Sequence, residues 1–283
     1  MTVLVTGARG TVGGGVLDGL RAAGVSVRAG ARDPSRLSLP AGVDAVAVDL
    51  DSPATFPAAL DGVEAVFCYA GRDLGPFAAA ARDAGVEHVV LLSSGAVVEA
   101  DPETDPIAGL HARAERALRD AGLATTALRA GAFCGNTLQW ARSIGAAGVV
   151  ELPYPDARVA SIHERDIADV AVAALTTGRG RGEAPSLTGP RSLSFAEHVA
   201  VLGDALGRPV TVRAVDPGDA RAAMARYAPP DVVDSLFTLW AAADGVPATV
   251  TEEVERLTGH PARTYDQWAH EHRDAFAGAA DGS

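Results

Sequence analysis

Residues 3–16 read VLVTGARGTVGGGV, an apolar run that breaks into glycines and then turns apolar again. Gly7, Gly10 and Gly13 stand at G-x-x-G-x-x-G, directly after a strand-like stretch and at the opening of a helical one. Three separate demands put glycine at such positions: a tight turn, close approach of the backbone to a pyrophosphate, and close packing of helix on strand. The unpaired N–H groups at the helix start would receive the anion. No G-K-[ST] follows, so the loop is not a P-loop.

Working outward, β-branched runs alternate with Ala/Leu-rich stretches as far as residue 130. The runs are TVLVT (2–6), VSVRA (25–29), VDAVAV (43–48), VEAVFCY (63–69), EHVVLLSS (87–94) and ATTALRA (124–130), with helices predicted at 12–23, 53–60, 75–84 and 107–121. Continuous apolar strands that alternate with helices imply a parallel sheet covered on both faces. Right-handed crossovers then give an α/β doubly wound parallel sheet, a Rossmann fold. Beyond Gly131 the alternation loosens. RVASI (158–162), SLTG (186–189) and PVTVRAV (209–215) read as strands, 163–177 as a long helix, and 217–275 as mostly helical. Ser194 with Glu197, and Thr264 with Gln267, carry the spacing of capping boxes. The expected division is a dinucleotide-binding domain at 1–150 and a smaller mixed C-terminal substrate lobe at 151–283, with at least one strand returning to the main sheet.

A net charge of −12, with charges of both signs dispersed, disfavours nucleic acid or an anionic membrane as a partner. Cys68 and Cys134 match no metal or redox spacing and read as buried small apolar groups. No cluster has metal-ligand spacing. No stretch is long enough to span a membrane, and a strand from residue 2 or 3 leaves no room for a signal peptide, so a cytoplasmic protein is expected. All 24 residues counted as Lys+Arg are arginine, which excludes every mechanism that needs a lysine.

The end of the second strand selects the dinucleotide. NAD-binding folds place an acid there for the ribose 2′-OH. Here RAGARDPSR puts Gly30 and Arg32 in that region, and an arginine fork suits a 2′-phosphate, with Arg9 able to face the same group. NADPH is therefore favoured. Asp33 keeps NADH open, and Arg32 also reads as an exposed loop arginine. Asp49 and Leu50 sit where the adenine edge would lie, although Asp49 equally reads as a cap for the helix at Pro53. Tyr69 and Ala70 end the fourth strand and would line the groove.

TGARGTVG, DL after the third strand, LLSSGAV, HARAERAL, LRAGAFCGN and SIHERDIADVAVAAL occur in this order. With them the whole chain resembles the NmrA-like group of atypical short-chain dehydrogenase/reductases. That group includes quinone, azo-dye and triphenylmethane reductases, ketoreductases of aromatic polyketide pathways, and regulators that bind the dinucleotide without turning it over. The resemblance implies cofactor contacts from Gly7, Gly10, Thr11, Val12, Gly13, Arg32, Asp49, Leu50, Ala70, Ser93, Arg129, Gly131 and Phe133. Where the group often has proline after the strand-6 arginine, this chain has Ala130.

Better-known short-chain reductases protonate the product with a Tyr-x-x-x-Lys pair beside a serine. The serine is present as Ser93 or Ser94, but His111 and Glu115 stand at the tyrosine and lysine positions. What remains is chemistry by placement, suited to an acceptor that needs little help with its proton: an aromatic, quinone-like or conjugated carbonyl molecule. A polycyclic aromatic ketone is the favoured substrate. Ser94 is the candidate carbonyl donor, and His111 either an acid or a partner of the ribose or of a backbone carbonyl. A non-catalytic NADP(H) sensor explains the missing pair as well. Trp140 is the aromatic residue most suited to line an apolar pocket, while His163 and Asp166 read as wall or cap residues. The sequence says nothing of oligomeric state.

Overall fold

The computed structural model describes residues 1–277; residues 278–283, the end of the expected second lobe, lie outside the described residues. Through the first half the elements are β1 (Thr2–Thr6), α1 (Thr11–Ala22), β2 (Ser26–Ala31), β3 (Asp44–Ala47), α2 (Phe56–Leu60), β4 (Ala65–Tyr69), α3 (Gly75–Asp83), β5 (His88–Ser94), α4 (Ala96–Glu99), α5 (Pro106–Asp120) and β6 (Ala124–Ala130). Then follow α6 (Ala141–Ala147), β7 (Val149–Leu152), β8 (Arg158–Val159), α7 (Glu164–Thr177), β9 (Ser186–Leu187), β10 (Leu193–Ser194), α8 (Phe195–Leu206), β11 (Thr211–Ala214), α9 (Pro217–Met224), α10 (Pro230–Ala242), α11 (Glu253–Thr258) and α12 (Tyr265–Phe276).

Two compact units divide the chain. The first holds Met1–Ala130, Glu164–Leu187 and Glu253–His260, and the second Gly131–His163, Thr188–Glu252 and Pro261 onward. The units are interleaved, so the division differs from the consecutive 1–150 and 151–283 expected. The cut falls after β6 because the chain leaves the first sheet there, and α7, β9 and α11 later rejoin it.

In the first unit seven strands lie in the order β3-β2-β1-β4-β5-β6-β9, all parallel. This is the doubly wound sheet expected, with its switch point between β1 and β4. Helices α2, α3 and α5 cover one face, and α1 and α7 the other. Leu4, Val66, Cys68 and Leu91 from the strands pack with Leu74, Leu118, Phe56 and Phe77, the last two edge to face at 5.2 Å. Burial on both faces explains why these strands read as unbroken apolar runs. The strand that returns to the main sheet is β9.

The glycines of the opening stretch divide their labour. A Cβ on Gly13 would stand 2.3 Å from the Gly7 carbonyl oxygen, so only hydrogen fits where α1 meets β1. Gly15 and Gly19 serve a different contact: Cβ atoms there would lie 3.0 Å from Ala168 Cβ and 2.8 Å from Val172 Cγ2, so the glycines let α1 press on α7. The second contact was not visible in sequence, where all the glycines pointed to the loop.

In the second unit β7 pairs in parallel with β11, and β8 antiparallel with β10. Thus the 209–215 run forms its own two-stranded sheet with β7, an element absent from the sequence expectation. Only Arg158 and Val159 of RVASI are strand; just beyond them Gly189 N donates to Ala160 O at 3.0 Å, and a Cβ on Gly189 would stand 2.0 Å from Ser161 O. Residues 134–147 coil into a 3₁₀ segment and α6. Both capping boxes form. Trp268 anchors the core, stacked between Tyr265 and His272, with Trp140, Ile144 and Leu152 packed around it. Trp140 is 8% exposed and belongs to this core. No helix among the described residues is long and apolar enough to cross a membrane.

His88 is buried on β5. Thr126 Oγ1 donates to Gly180 O at 2.9 Å, so His88 Nε2 is the donor in its 2.9 Å bond to Thr126 Oγ1. Burial, reinforced by Arg181, lowers its pKa from the usual 6.5 to about 4. The unfolded chain therefore takes up the proton first, and stability present above pH 6.5 drains as pH falls toward 4, by about 3 kcal/mol in full. Thermal melts from pH 7 to 5 should show this loss, and His88→Gln should flatten part of the slope. Separately, Gly13→Ala should destabilise the ligand-free protein by about 1–3 kcal/mol through the Gly7 carbonyl clash. Gly14→Ala, whose Cβ would meet Ala8 O at an ordinary 3.5 Å, should stabilise it by about 0.5–1 kcal/mol; denaturant titration distinguishes the two.

Candidate functional site

The loop after β1 turns on Gly7, whose φ of 63° lies in the left-handed region. Gly10 N donates to Gly7 O at 2.8 Å, closing the turn. Gly10 is the N-cap of α1 and carries no side-chain bond to the helix, and the first turn holds no acid. The helix start thus keeps bare donors and its positive end. Thr11 and Arg9 are exposed beside it, while Val12 and Gly13 are buried. Tyr69, 44% exposed at the end of β4, lies so close over the loop that a Cβ on Gly7 would be 2.6 Å from its Cε1. Ala70, partly buried, follows it.

At the end of β2 a Cβ on Gly30 would meet Val48 Cγ1 at 2.5 Å, so the sheet admits no acidic side chain there. Asp33 is committed: its Oδ1 accepts from Ser35 N at 3.1 Å and from Ser35 Oγ at 2.6 Å, capping a short 3₁₀ turn. Arg32 is exposed and makes no hydrogen bond or ion pair with the described residues. Asp49 is not the cap of the turn at Pro53. That place is held by Ser52, and Asp49 Oδ1 accepts instead from Asp51 N at 3.1 Å because the chain bends right after β3. Leu50 packs toward Gly71.

The carboxyl ends of β5 and β6 carry a second cluster. Ser93 and Arg129 are neighbours across the ladder. Ser93 Oγ donates to Glu115 Oε1 at 2.7 Å, and Arg129 grips the same carboxylate with Nε at 3.0 Å and Nη2 at 2.6 Å. Glu115 is 7% exposed, and its hydrogen bonds hold the Arg129 pKa above the usual range. Ser94 Oγ accepts from Ala96 N at 3.2 Å, leaving its O–H to donate elsewhere. His111, one turn before Glu115 on α5, has its Nδ1 walled off without a hydrogen-bond partner. His198, His270 and His272 each place Nδ1 on the carbonyl four residues back, at 2.7 to 2.9 Å. His111 does not, so its expected bond to a backbone carbonyl is not made by that atom. Burial lowers its pKa more than Glu115 raises it, which makes the ring neutral at pH 7 and a poor acid.

Gly131 and Phe133 fall in the second unit, where Phe133 bridges Ile162. His163 and Asp166 are buried, and His163 Nε2 stands 3.5 Å from Glu271 Oε2. Cys68 and Cys134 are buried free thiols, and burial pushes the Cys68 thiol up to about 12, so neither reads as a nucleophile. Asp166, Asp169 and His260 converge with their ligand atoms within 4.8 Å, a grouping that no local spacing in sequence reveals. His260 Nε2 and Asp169 Oδ2 lie 3.3 Å apart, an ion-pair contact that accounts for two of the three without a metal.

A glycine cradle that a Cβ would fill, a bare helix start and two free arginines are a donor set suited to a pyrophosphate and a 2′-phosphate. A sequence family described as NAD(P)H-binding matches residues 7–178, and the chain belongs to that family. The (4-alkanoyl-5-oxo-2,5-dihydrofuran-3-yl)methyl phosphate reductase of Streptomyces griseus is 42% identical over 97% of this chain and 99% of its own. The NAD(P)H azoreductase of Xenophilus azovorans is 35% identical over 98% of this chain and 100% of its own. An NADPH-dependent quinone oxidoreductase of Escherichia coli, solved with NADPH, shares the fold with a TM-score of 0.81 at 24% identity, covering 96% and 99% of the two chains. The chain is thus an NAD(P)H-dependent oxidoreductase.

Sequence reasoning placed Ser93 and Arg129 at the site but missed that Glu115 joins them. The signal was present as an acid at the lysine position in a chain without lysine. Arg32→Ala should weaken NADPH binding by about 10- to 100-fold through loss of charge-assisted bonds, with NADH affinity changed less than about two-fold. Titration of intrinsic fluorescence checks this, and equal losses would mean that the 2′-phosphate is read elsewhere.

Proposed function

We propose that this protein is an NADPH-dependent reductase of small conjugated carbonyl compounds, and that its substrate is an acylated butenolide carried as a phosphate ester. The observation that supports the substrate class most is the 42% identity, over nearly the whole of both chains, to a reductase of that chemistry. A polycyclic aromatic ketone, the preference from sequence, shares the conjugation.

The missing proton donor favours the same class. When bound, NADPH supplies the hydride. In a 4-alkanoyl-5-oxo-dihydrofuran the ring double bond is conjugated to two carbonyls, so the electron pair displaced by hydride spreads over two oxygens. The product anion is then stable enough to take its proton from water, and a side-chain acid contributes little. Gly7, Gly10, Thr11, Val12 and Gly13 would hold the pyrophosphate at the start of α1. Arg9 and Arg32 would hold the 2′-phosphate, the freedom of Arg32 and the commitment of Asp33 both supporting NADPH over NADH. Asp49, Leu50, Tyr69 and Ala70 would line the groove, with Ser93 and Arg129 toward the nicotinamide. Ser94 keeps a free O–H for the substrate carbonyl, and His111, being neutral, offers at most one hydrogen bond.

The test is NADPH oxidation with a panel of a phosphorylated acyl butenolide, its dephosphorylated form, a quinone, an azo dye and a polycyclic aromatic ketone. The phosphorylated butenolide should have the highest kcat/KM, with saturated lactone as product. Preference for the polycyclic ketone would return the substrate to that class. Tight NADPH binding with no turnover of any acceptor would replace the enzyme by a sensor of the NADP(H) state.

A further inference from the structure

Glu115 is a buried carboxylate that accepts three hydrogen bonds, one from Ser93 and two from Arg129. Such a pair does little for stability, because well-packed apolar side chains of similar volume often serve as well or better. Its place is telling. Ser93 and Arg129 form the last but one rung of the β5–β6 ladder, at the carboxyl edge where ligands of doubly wound sheets bind. Arg129 spends Nε and Nη2 on Glu115, whereas Nη1 bonds to none of the described residues and is not among the walled-off polar atoms. The side chain keeps 21% of its surface open.

Resting on the reductase reading above, we propose that Arg129, clamped by Glu115 and Ser93, uses its free Nη1 to stabilise the negative charge that reduction places on the substrate's carbonyl oxygen. As hydride bonds to the β-carbon, the electron pair of the double bond moves to that oxygen, and the enolate then takes a proton from water at its α-carbon. Arg129 gives up no proton. The guanidinium in its clamp is a donor fixed before the charge appears, and a preorganised donor needs no rearrangement at the moment of reaction. Without the clamp a long arginine side chain would have to be ordered each time. Ser93 and Glu115 are accordingly positioning residues, and the position that holds lysine in related reductases carries the anchor of a cation rather than the cation itself.

The experiment replaces the pair together, Glu115→Met with Arg129→Met, so that no lone charge is buried; Glu115→Gln with Arg129→Gln serves if that variant does not fold. Melting temperature should stay near wild type, while kcat at saturating NADPH should fall about 100-fold or more with little change in the KM of the carbonyl substrate, and Arg129→Lys alone should retain part of the rate. A readout without turnover accompanies it, the ionisation of para-nitrophenol bound to the NADP⁺ complex, followed by its phenolate colour. Ionisation at lower pH on the wild type than on the double variant supports the proposal. Unchanged kcat, or identical nitrophenol titrations, would overturn it and leave the pair purely structural. If no conjugated carbonyl is turned over by the wild type, the substrate reading fails by itself, and the nitrophenol comparison still decides for or against Arg129.

Discussion

The carbonyl oxygen of Gly7 occupies the space that a side chain on residue 13 would need, 2.3 Å from where its Cβ would stand. This one approach fixes how α1 leaves β1 and therefore where the bare N–H groups of the helix point. Everything at the β1 end of the site follows from it. The same helix then runs over α7 on Gly15 and Gly19, so the stretch that opens the phosphate cradle also sets the packing of the face behind the sheet. A single β-carbon at position 13 would disturb both the turn and the helix axis.

The two clusters described in the first unit are built on different principles. At the glycine loop and the end of β2 the arginines are uncommitted: Arg9 and Arg32 are exposed, while the neighbouring acid, Asp33, is spent on Ser35. At the ends of β5 and β6 the groups are committed to one another. Glu115 is saturated by Ser93 and Arg129, and His111 is kept neutral by burial. On the proposed reading, a chain with no lysine carries a fixed, charge-balanced cluster where a proton-transfer pair would stand. Such a cluster suits acceptors that carry their own stabilisation of negative charge.

Much of this was legible in the sequence, for reasons that can be stated residue by residue. Strands β1 to β6 lie within a residue or two of the apolar runs, and in β1, β4 and β5 burial on both faces demands such unbroken stretches. The capping boxes at Ser194 and Thr264 were readable because the chemistry is local. What escaped was non-local. Strand β7 is short and is defined by its partner β11, 62 residues later at Thr211 to Val149. The return of α7, β9 and α11 to the first unit depends on contacts such as Gly19 with Val172, for which no local pattern exists. At the site, the absence of lysine was plain from composition, but the ion pair that takes its place joins α5 to β6 and needed coordinates.

The central claim is that reduction here proceeds by placement and fixed charge, with no side chain transferring a proton in the rate-determining step. Kinetic isotope effects on kcat/KM with phosphorylated acyl butenolide test it most directly, using NADPH deuterated at the transferred position in ordinary and heavy water between pH 6 and 8. A primary effect from the deuterated cofactor and a solvent effect close to one at every pH are expected, with no pH limb beyond that set by the phosphate ester's own ionisation at about pH 6. A large solvent effect that appears along a titrating limb of the pH profile would contradict the claim and show a side-chain acid at work.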